Sequence, residues 1–267
     1  GYALVAYQTA YLKAHYPVEY AACLLSSVKG NFDKGAIYLS DARASGIAVR
    51  TPDINLSRSD FISLMMQGEK AVSFGLSAIR NVGEGLVEQM LVERDANGPY
   101  ATFHDFADRA PEAVLNKRTV ESLIKAGAFD TLGHPRRGLL MSFERILDSS
   151  ITRRRERDRG IMSLFGDEMA SDNGFTDRVE IPALEFDKTD QLRNEKDMLG
   201  LYVSDHPLMG VEHALRRRID CGIGEARERE DGAFVITGGV ITGLAKKYTK
   251  KGDQMAVFVL EDLDSSI

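Results

Sequence analysis

Cysteine is scarce in this 267-residue chain, which holds only two. Cys23 and Cys221 stand alone and far apart, so they offer neither metal-ligand spacing nor a disulfide framework, which suits a reducing cytoplasm. The five histidines are scattered, and none has a histidine or cysteine partner at zinc-ligand spacing. Long apolar runs are missing too, since no stretch approaches the ~18 residues of a membrane span. We expect a cytoplasmic protein without a metal site or membrane segment.

An excess of positive charge is also absent, because the net charge is −6. With 43% hydrophobic and 28% charged residues, the chain has the composition of a globular protein of two or three domains. Basic residues nevertheless cluster at residues 136–137, 153–159, 216–218 and 246–251. Each cluster is either a local phosphate contact or part of a solvated face or a linker. The chain opens Gly-Tyr-Ala-Leu, without an initiator methionine, and we expect it to be the interior of a longer protein.

Apolar residues at helical spacing flank a tight turn in the middle of the chain. They are Leu76, Ile79 and Val82 before the second helix, and Leu86, Val87, Met90 and Leu91 within it. The spacing resembles the helix-hairpin-helix motif, which holds nucleic-acid backbone without reading bases. Asn81 stands at the usual first glycine, and asparagine tolerates a left-handed backbone. Val87 stands at the usual small residue, and the alternative is an ordinary helical hairpin in a core.

Free N–H groups at the start of a helix bind anions such as phosphate. The expected phosphate contacts are the amides around Asn81, Val82, Gly83 and Gly85, with Arg80 adding positive charge. Glu84 and Glu88 oppose phosphate and are expected to point away.

Residues 115–130 again predict a helix, a turn at a glycine and a following apolar segment. It is either a degenerate second helix-hairpin-helix or a core helix capped by Gly127. In the first case Lys117, Arg118 and Lys125, near Gly127, form a second phosphate site. Paired sites would grip two positions on a duplex.

The chain changes character after these helices. Residues 138–148 predict a helix, residues 149–185 an exposed linker, and residues 186–201 another helix. One apolar cluster, residues 161–165, interrupts the linker and either docks on its own protein or enters a partner's pocket. From residue 234 onward, alternation predicts β-strands joined by a basic loop over residues 246–253.

Five segments, in the same order as in the family, resemble the bacterial DNA polymerase III alpha subunits (the C-family replicative polymerases). They are residues 2–20 (YALVAYQTAYLKAHYPVEY), 51–55 (TPDIN), 116–130 (NKRTVESLIKAGAFD), 195–208 (EKDMLGLYVSDHPL) and 241–263. The resemblance implies a mainly α fold with a small β part. It divides the chain into the end of a fingers domain (1–68), a tandem helix-hairpin-helix domain (69–148), a clamp-binding linker (149–185), a helical connector (186–231) and the start of an OB-fold barrel (232–267).

The resemblance also implies roles. Ile161, Met162, Ser163, Leu164 and Phe165 lie where the family carries its sliding-clamp motif, usually Gln-x-x-Leu-Phe, and the glutamine position is Ile161 here. Leu164 and Phe165 would fill the clamp's pocket. The alternative is a linker that folds back on its own domain.

In the OB-like part, Lys246, Lys247, Lys250 and Lys251, with Tyr248 among them, would bind single-stranded DNA. The alternative is a solvated lysine-rich hairpin.

The family's catalytic carboxylates and their Mg²⁺ lie in a palm domain upstream of these segments, so we expect no catalytic residue and no cofactor here. The expected partners are primer-template DNA, the sliding clamp and other replicase subunits. The function this predicts is DNA binding and clamp recruitment for a replicative polymerase. The alternatives are the same region of an error-prone translesion polymerase, and a stand-alone nucleic-acid-binding adaptor.

Overall fold

Helices form most of the secondary structure. The computed structural model describes residues 1–66, 68–159, 178–249, 252–263, 265 and 267. The helices are α1 (Tyr2–His15), α2 (Pro17–Ser27), α3 (Phe32–Ala44), α4 (Glu84–Asn97), α5 (Phe103–Arg109), α6 (Lys117–Ala126), α7 (Arg136–Asp158), α8 (Lys188–Leu199), α9 (Glu212–Arg216) and α10 (Ile223–Arg227). The strands are β1 (Val49–Arg50), β2 (Ile62–Met66), β3 (Glu69–Ser73), β4 (Val240–Tyr248) and β5 (Gln254–Glu261). The mainly α fold with a small β part is confirmed.

Local signals account for several helix ends. The Thr102 side chain accepts a hydrogen bond from the Asp105 amide at the start of α5, as expected for an N-cap. Asn116 does the same for the Thr119 amide at the start of α6. Pro17 opens α2 at the first helical position. These ends were predictable because each depends on residues within one turn of the helix terminus.

Two small sheets carry the β structure. In the first, the order is β1-β3-β2, with β1 parallel and β2 antiparallel to β3, so β2 and β3 form a hairpin. In the second, β4 and β5 form an antiparallel ribbon with a bulge between Ile241 and Gly243. Residues 234–239, which the sequence predicted as strand, precede β4 without strand pairing among the described residues.

One hydrophobic core joins α2, β1, β3 and helices α4 to α8. Its centre is aromatic: Phe129 packs edge-on against Phe103 and Phe106 with ring centroids 5.0 and 4.9 Å apart. Tyr100 packs against Phe106 at 5.1 Å. Leu199, after the expected linker, belongs to the same core, so the connector packs directly on the helical hairpin region. The domain boundaries themselves stay a prediction.

A buried ionic cluster fixes the connector. The Glu195 carboxylate on α8 is fully buried and accepts hydrogen bonds from the Ser204 amide (2.9 Å) and hydroxyl (2.8 Å). The Arg136 guanidinium lies 3.4 Å from Glu195 and binds Asp130 through two bonds of 2.8 and 2.6 Å. Since a buried carboxylate needs a cation and donors to offset its desolvation, this cluster ties α8 to the turn after α6.

Helix α7 is longer than the sequence predicted. It runs to Asp158, past residue 149, where the linker was expected to begin. The basic run there is partly docked: Arg154 donates to the Ala107 and Ala110 carbonyls at the end of α5, each at 2.7 Å. Those carbonyls lie at a helix C-terminus, where a cation is favourable. This part of the predicted linker is therefore a helix packed on α5.

Candidate nucleic-acid interface

The bend before α4 has the backbone that the sequence predicted. Asn81 has φ of 65°, and it is the one non-glycine residue with positive φ in the part of the chain that the structure describes. Gly83 is the N-cap of α4 and supplies no side-chain cap. The segment before the bend differs from expectation, because residues 76–78 form a single 3₁₀ turn in place of an α-helix.

One of the amides expected to bind phosphate, that of Val82, is occupied within the protein, and so is the amide of the neighbouring Arg80. The buried Val82 donates its N–H to the Ile79 carbonyl at 3.1 Å, and the Arg80 amide donates to the Met198 carbonyl at the end of α8 at 2.9 Å. Val82 is thus removed from the set of phosphate contacts, since its N–H closes the turn and its side chain fills the core. Arg80 has an exposed side chain.

The start of α4 leaves its first amides available. Within the described ranges, the N–H groups of Gly83, Glu84 and Gly85 donate to no protein acceptor, and all three residues are exposed. Apart from the adjoining residues and the backbone of α4 itself, no heavy atom lies within 4 Å of the place where a Cβ on Gly83 or Gly85 would stand. Open amides at the positive end of a 14-residue helix favour an anion.

An open depression of about 570 Å³ lies beside the bend, lined by residues 77–83 and by Lys29 and Gly30 after α2. Lys29 was not predicted as part of the site. Its ammonium donates to Asp60 at 2.6 Å and to the Ser77 hydroxyl at 3.0 Å, and it lies 3.6 Å from the Glu84 carboxylate. The bond to Asp60 raises the pKa of Lys29 above its ordinary value. Lys29 thus offsets the negative charge of Glu84 at the helix start.

The second predicted site divides into an exposed part and a buried part. At the exposed start of α6, Lys117 pairs with Glu144 at 2.7 Å, whereas Arg118 forms no ion pair with any described residue. Lys125, half-buried at the other end, pairs with Glu121 at 2.6 Å. Arg118 is therefore the most available cation of α6.

Gly127 does not face solvent. It is buried in the left-handed conformation at the end of α6, with φ of 84°, and its N–H donates to the Ile124 carbonyl at 3.0 Å. A Cβ at this position would collide with the Arg136 guanidinium. The glycine is needed because the buried arginine packs against it. Gly127 therefore caps α6 within the core and is not a surface contact.

The bend and the start of α6 lie against each other. The Asn81 side-chain amide donates to the Ser122 hydroxyl at 3.1 Å, and the Asn81 carbonyl accepts from the Thr119 hydroxyl at 3.1 Å. The open amides of α4 and the cation of Arg118 therefore belong to neighbouring parts of one surface.

Part of the third predicted site lies on the β4–β5 ribbon. Lys246, Lys247 and Tyr248 lie within β4, opposite residues 254–256, and not in the connecting loop as expected. Lys246 and Tyr248 share one face because side chains alternate along a strand, and Tyr248 is 73% exposed. Lys250 and Lys251 lie outside the described residues, as do Ile161, Met162, Ser163, Leu164 and Phe165 of the predicted clamp motif.

Among the described residues, no group of three or more histidine, cysteine, aspartate or glutamate side chains could hold a metal ion. None of the described helices is long and apolar enough to cross a membrane.

Known proteins match both the bend region and the whole chain. The model of a family described as "Helix-hairpin-helix motif" matches residues 46–139, which contain the bend, α4, α5 and α6. DNA polymerase III subunit alpha of Saccharopolyspora erythraea is 42% identical over 274 aligned residues, covering 100% of this chain. This chain is a relative of the DNA polymerase III alpha subunit. The resemblance expected from the five sequence segments is therefore confirmed.

Two other DNA polymerase III alpha subunits show similar identity to this chain. That of Mycobacterium tuberculosis is 39% identical over 100% of this chain, and that of Thermus aquaticus is 42% identical over 98%. The chain spans less than a quarter of these relatives: 23% of the S. erythraea and M. tuberculosis proteins and 21% of the T. aquaticus protein.

Proposed function

We propose that this chain holds DNA for a bacterial replicative DNA polymerase. The relatives that match its whole length are named DNA polymerase III subunit alpha, and residues 46–139 match a helix-hairpin-helix family. Nucleotidyl transfer is assigned to a palm domain of the same polymerase, with the Mg²⁺ that clustered carboxylates hold in such domains. The described acidic residues do not form such a cluster.

One observation carries the proposal: the open amides of Gly83, Glu84 and Gly85 at the start of α4, beside a bend with a left-handed residue. A phosphate oxygen would accept from these N–H groups and gain from the helix dipole. The absence of a side chain at Gly83 and Gly85 lets a sugar-phosphate strand approach the backbone.

Contacts of this kind ignore base identity, because they involve only phosphate and sugar. The 267-residue chain should therefore bind duplexes of unrelated sequence with equal affinity. It should also release them as salt rises between about 50 and 200 mM, because phosphate contacts displace condensed counterions. A replicative polymerase copies every sequence, so it needs DNA contacts that do not depend on base identity.

The decisive variant is Gly83→Val. Gly83 has φ −75° and ψ 146°, an extended backbone that valine adopts readily, and a Cβ there meets no atom within 4 Å. The valine would cover the open amides without disturbing the core. We expect about a tenfold loss of duplex affinity, as for one lost hydrogen bond to a charged group, measured by fluorescence anisotropy or filter binding.

The matched control is Ser63→Val on the edge strand β2, which adds the same side chain in a strand away from the bend. It should leave duplex affinity unchanged, and both variants should unfold in urea at the wild-type midpoint. Equal duplex affinity for wild type and Gly83→Val would contradict the proposed amide contacts.

We propose that the β4–β5 ribbon contacts the single-stranded template. Lys246 and Tyr248 are exposed on one face, which combines a cation with a ring on which a base can stack. Replacing Lys246 and Lys247 with alanine should weaken single-strand binding and leave duplex binding intact. Equal losses for both substrates would point to a general electrostatic effect.

We also propose that residues 161–165 recruit the sliding clamp, with other replicase subunits as further partners. Leu164 and Phe165 match the apolar end of the family's motif. A pull-down with the clamp of the same organism should retain the wild-type chain and lose the variant with both residues changed to alanine. Retention of both forms would place the clamp contact elsewhere.

The polymerase assignment has two rivals. Similarity along the whole chain to proteins named DNA polymerase III subunit alpha favours a polymerase over a stand-alone adaptor. The replicative branch is preferred over the translesion branch on the Leu164-Phe165 motif. Processive synthesis with the clamp, measured on the full-length polymerase, distinguishes the two branches.

A further inference from the structure

Asn81 occupies a backbone conformation that glycine adopts at lower cost. Its φ of 65° is unique among the described non-glycine residues, whereas ten described glycines share the positive sign. A side chain in this region is retained at some cost in free energy, even for asparagine. The reason for an asparagine here must lie in its side chain.

The side chain joins the bend to α6. Its side-chain amide donates to the Ser122 hydroxyl at 3.1 Å, while the main-chain carbonyl of Asn81 separately accepts from the Thr119 hydroxyl at 3.1 Å. Ser122 and Thr119 are each only 2% exposed. Hydrogen bonds to hydroxyls so well shielded from water are costly to lose, because the orphaned groups cannot turn to solvent.

The hydrogen bonds between Asn81 and α6 (the tie) connect two groups that could bind phosphate. Two residues after Asn81 come the open amides of Gly83 and the first turn of α4. On α6, Arg118 lies one turn before Ser122 and directly before Thr119, so it projects from the part of the helix that the bend contacts. The Arg118 side chain is exposed and has no ion-pair partner among the described residues.

We propose that Asn81 is a positioning residue that holds the amides of α4 and the guanidinium of Arg118 in one fixed grip on adjacent phosphates. The inference rests on the proposed DNA binding and adds to it a coupling between the two halves of the interface. Without the tie, the amides persist but Arg118 no longer stands at a set distance from them.

The test uses the 267-residue chain and the salt dependence of duplex binding. Asn81→Gly keeps the left-handed backbone available and removes only the side-chain bond. We expect about a tenfold loss of affinity and a fall of about 0.9 in the slope of log affinity against log salt, which corresponds to one phosphate contact. Arg118→Ala should show the same slope, and the double variant should fall no further.

Ser122→Ala removes the hydrogen bond between Asn81 and Ser122 by deleting its acceptor, and it should show the same salt slope as Asn81→Gly. Agreement between the two variants would show that the changed slope does not arise from an effect of the new glycine on folding. Asn97→Gly, at the other end of α4, is the control for replacing an asparagine with glycine and should bind as wild type. The unfolding temperatures of Asn81→Gly and Ser122→Ala should stay within about 4 °C of wild type.

The outcomes separate the two ideas. A wild-type chain with no salt-dependent duplex binding would overturn the proposed function and this inference together. A wild-type chain that binds as expected, with an unchanged slope in Asn81→Gly or full additivity with Arg118→Ala, would overturn the positioning role alone. A shared slope and a double variant no weaker than Arg118→Ala would establish it.

Discussion

Glu84 should oppose DNA binding while it stabilises the helix that binds. It is the first residue of α4, and its carboxylate lies 3.6 Å from the Lys29 ammonium. A negative charge in the first turn favours the helix dipole, but it repels a phosphate approaching the neighbouring amides. Glu84→Gln should therefore tighten duplex binding and lower stability, which are effects of opposite sign from one substitution.

The size of each effect follows from the surroundings. Glu84 is 60% exposed, so we take its repulsion of a phosphate as about 1 kcal/mol, the energy of two unit charges 4 Å apart in water. That energy corresponds to an affinity gain of about fivefold. The loss of the favourable dipole interaction is about 0.3 to 1 kcal/mol in the free energy of unfolding. Lys29 keeps its Asp60 partner at 2.6 Å, so no cation is left unpaired.

The assay is duplex anisotropy at low salt, paired with urea unfolding of the same samples. Glu88→Gln is the matched control: it makes the same change one turn further along α4, where both effects should be smaller. The gain of Glu84→Gln should also shrink as salt rises, because an exposed charge is screened. Weaker DNA binding by Glu84→Gln, or an equal gain in Glu88→Gln, would refute the reasoning.

Three further predictions concern stability and single strands. Gly127→Ala should lower the free energy of unfolding by at least about 2 kcal/mol, because it strains a positive φ and displaces the buried Arg136, as urea titration would measure. Tyr248→Ala should weaken single-strand binding by about 1 to 3 kcal/mol in a fluorescence titration and leave the unfolding midpoint unchanged, since the ring is exposed. Burial lowers the pKa of His206 below its ordinary 6.5, so the unfolded chain binds the proton more tightly, and urea midpoints should fall as pH drops below that value, less steeply in His206→Gln.

Local sequence signals predicted the left-handed turn before α4 correctly. Asn81 was expected in the left-handed region because asparagine tolerates that backbone better than most side chains do, and its φ is 65°. The sequence also carries the N-cap of α5, because the Thr102 side chain accepts from the Asp105 amide within one turn of the helix start. The end of α7 was predicted about ten residues too early, because a run of arginines in the sequence alone indicates a solvated segment. In the structure, Arg154 in this run binds carbonyls at the end of α5, so the helix continues to Asp158.

The sequence by itself determined the family resemblance and the turn before α4, because these depend on residues that are neighbours in the chain. The tertiary structure decided which groups of that turn remain open. It buries Gly127 under Arg136, occupies the Arg80 amide with a carbonyl of α8, and brings Lys29 to Glu84. Each of these contacts joins residues at least nine positions apart in the chain, and whether a donor is free depends on what packs against it.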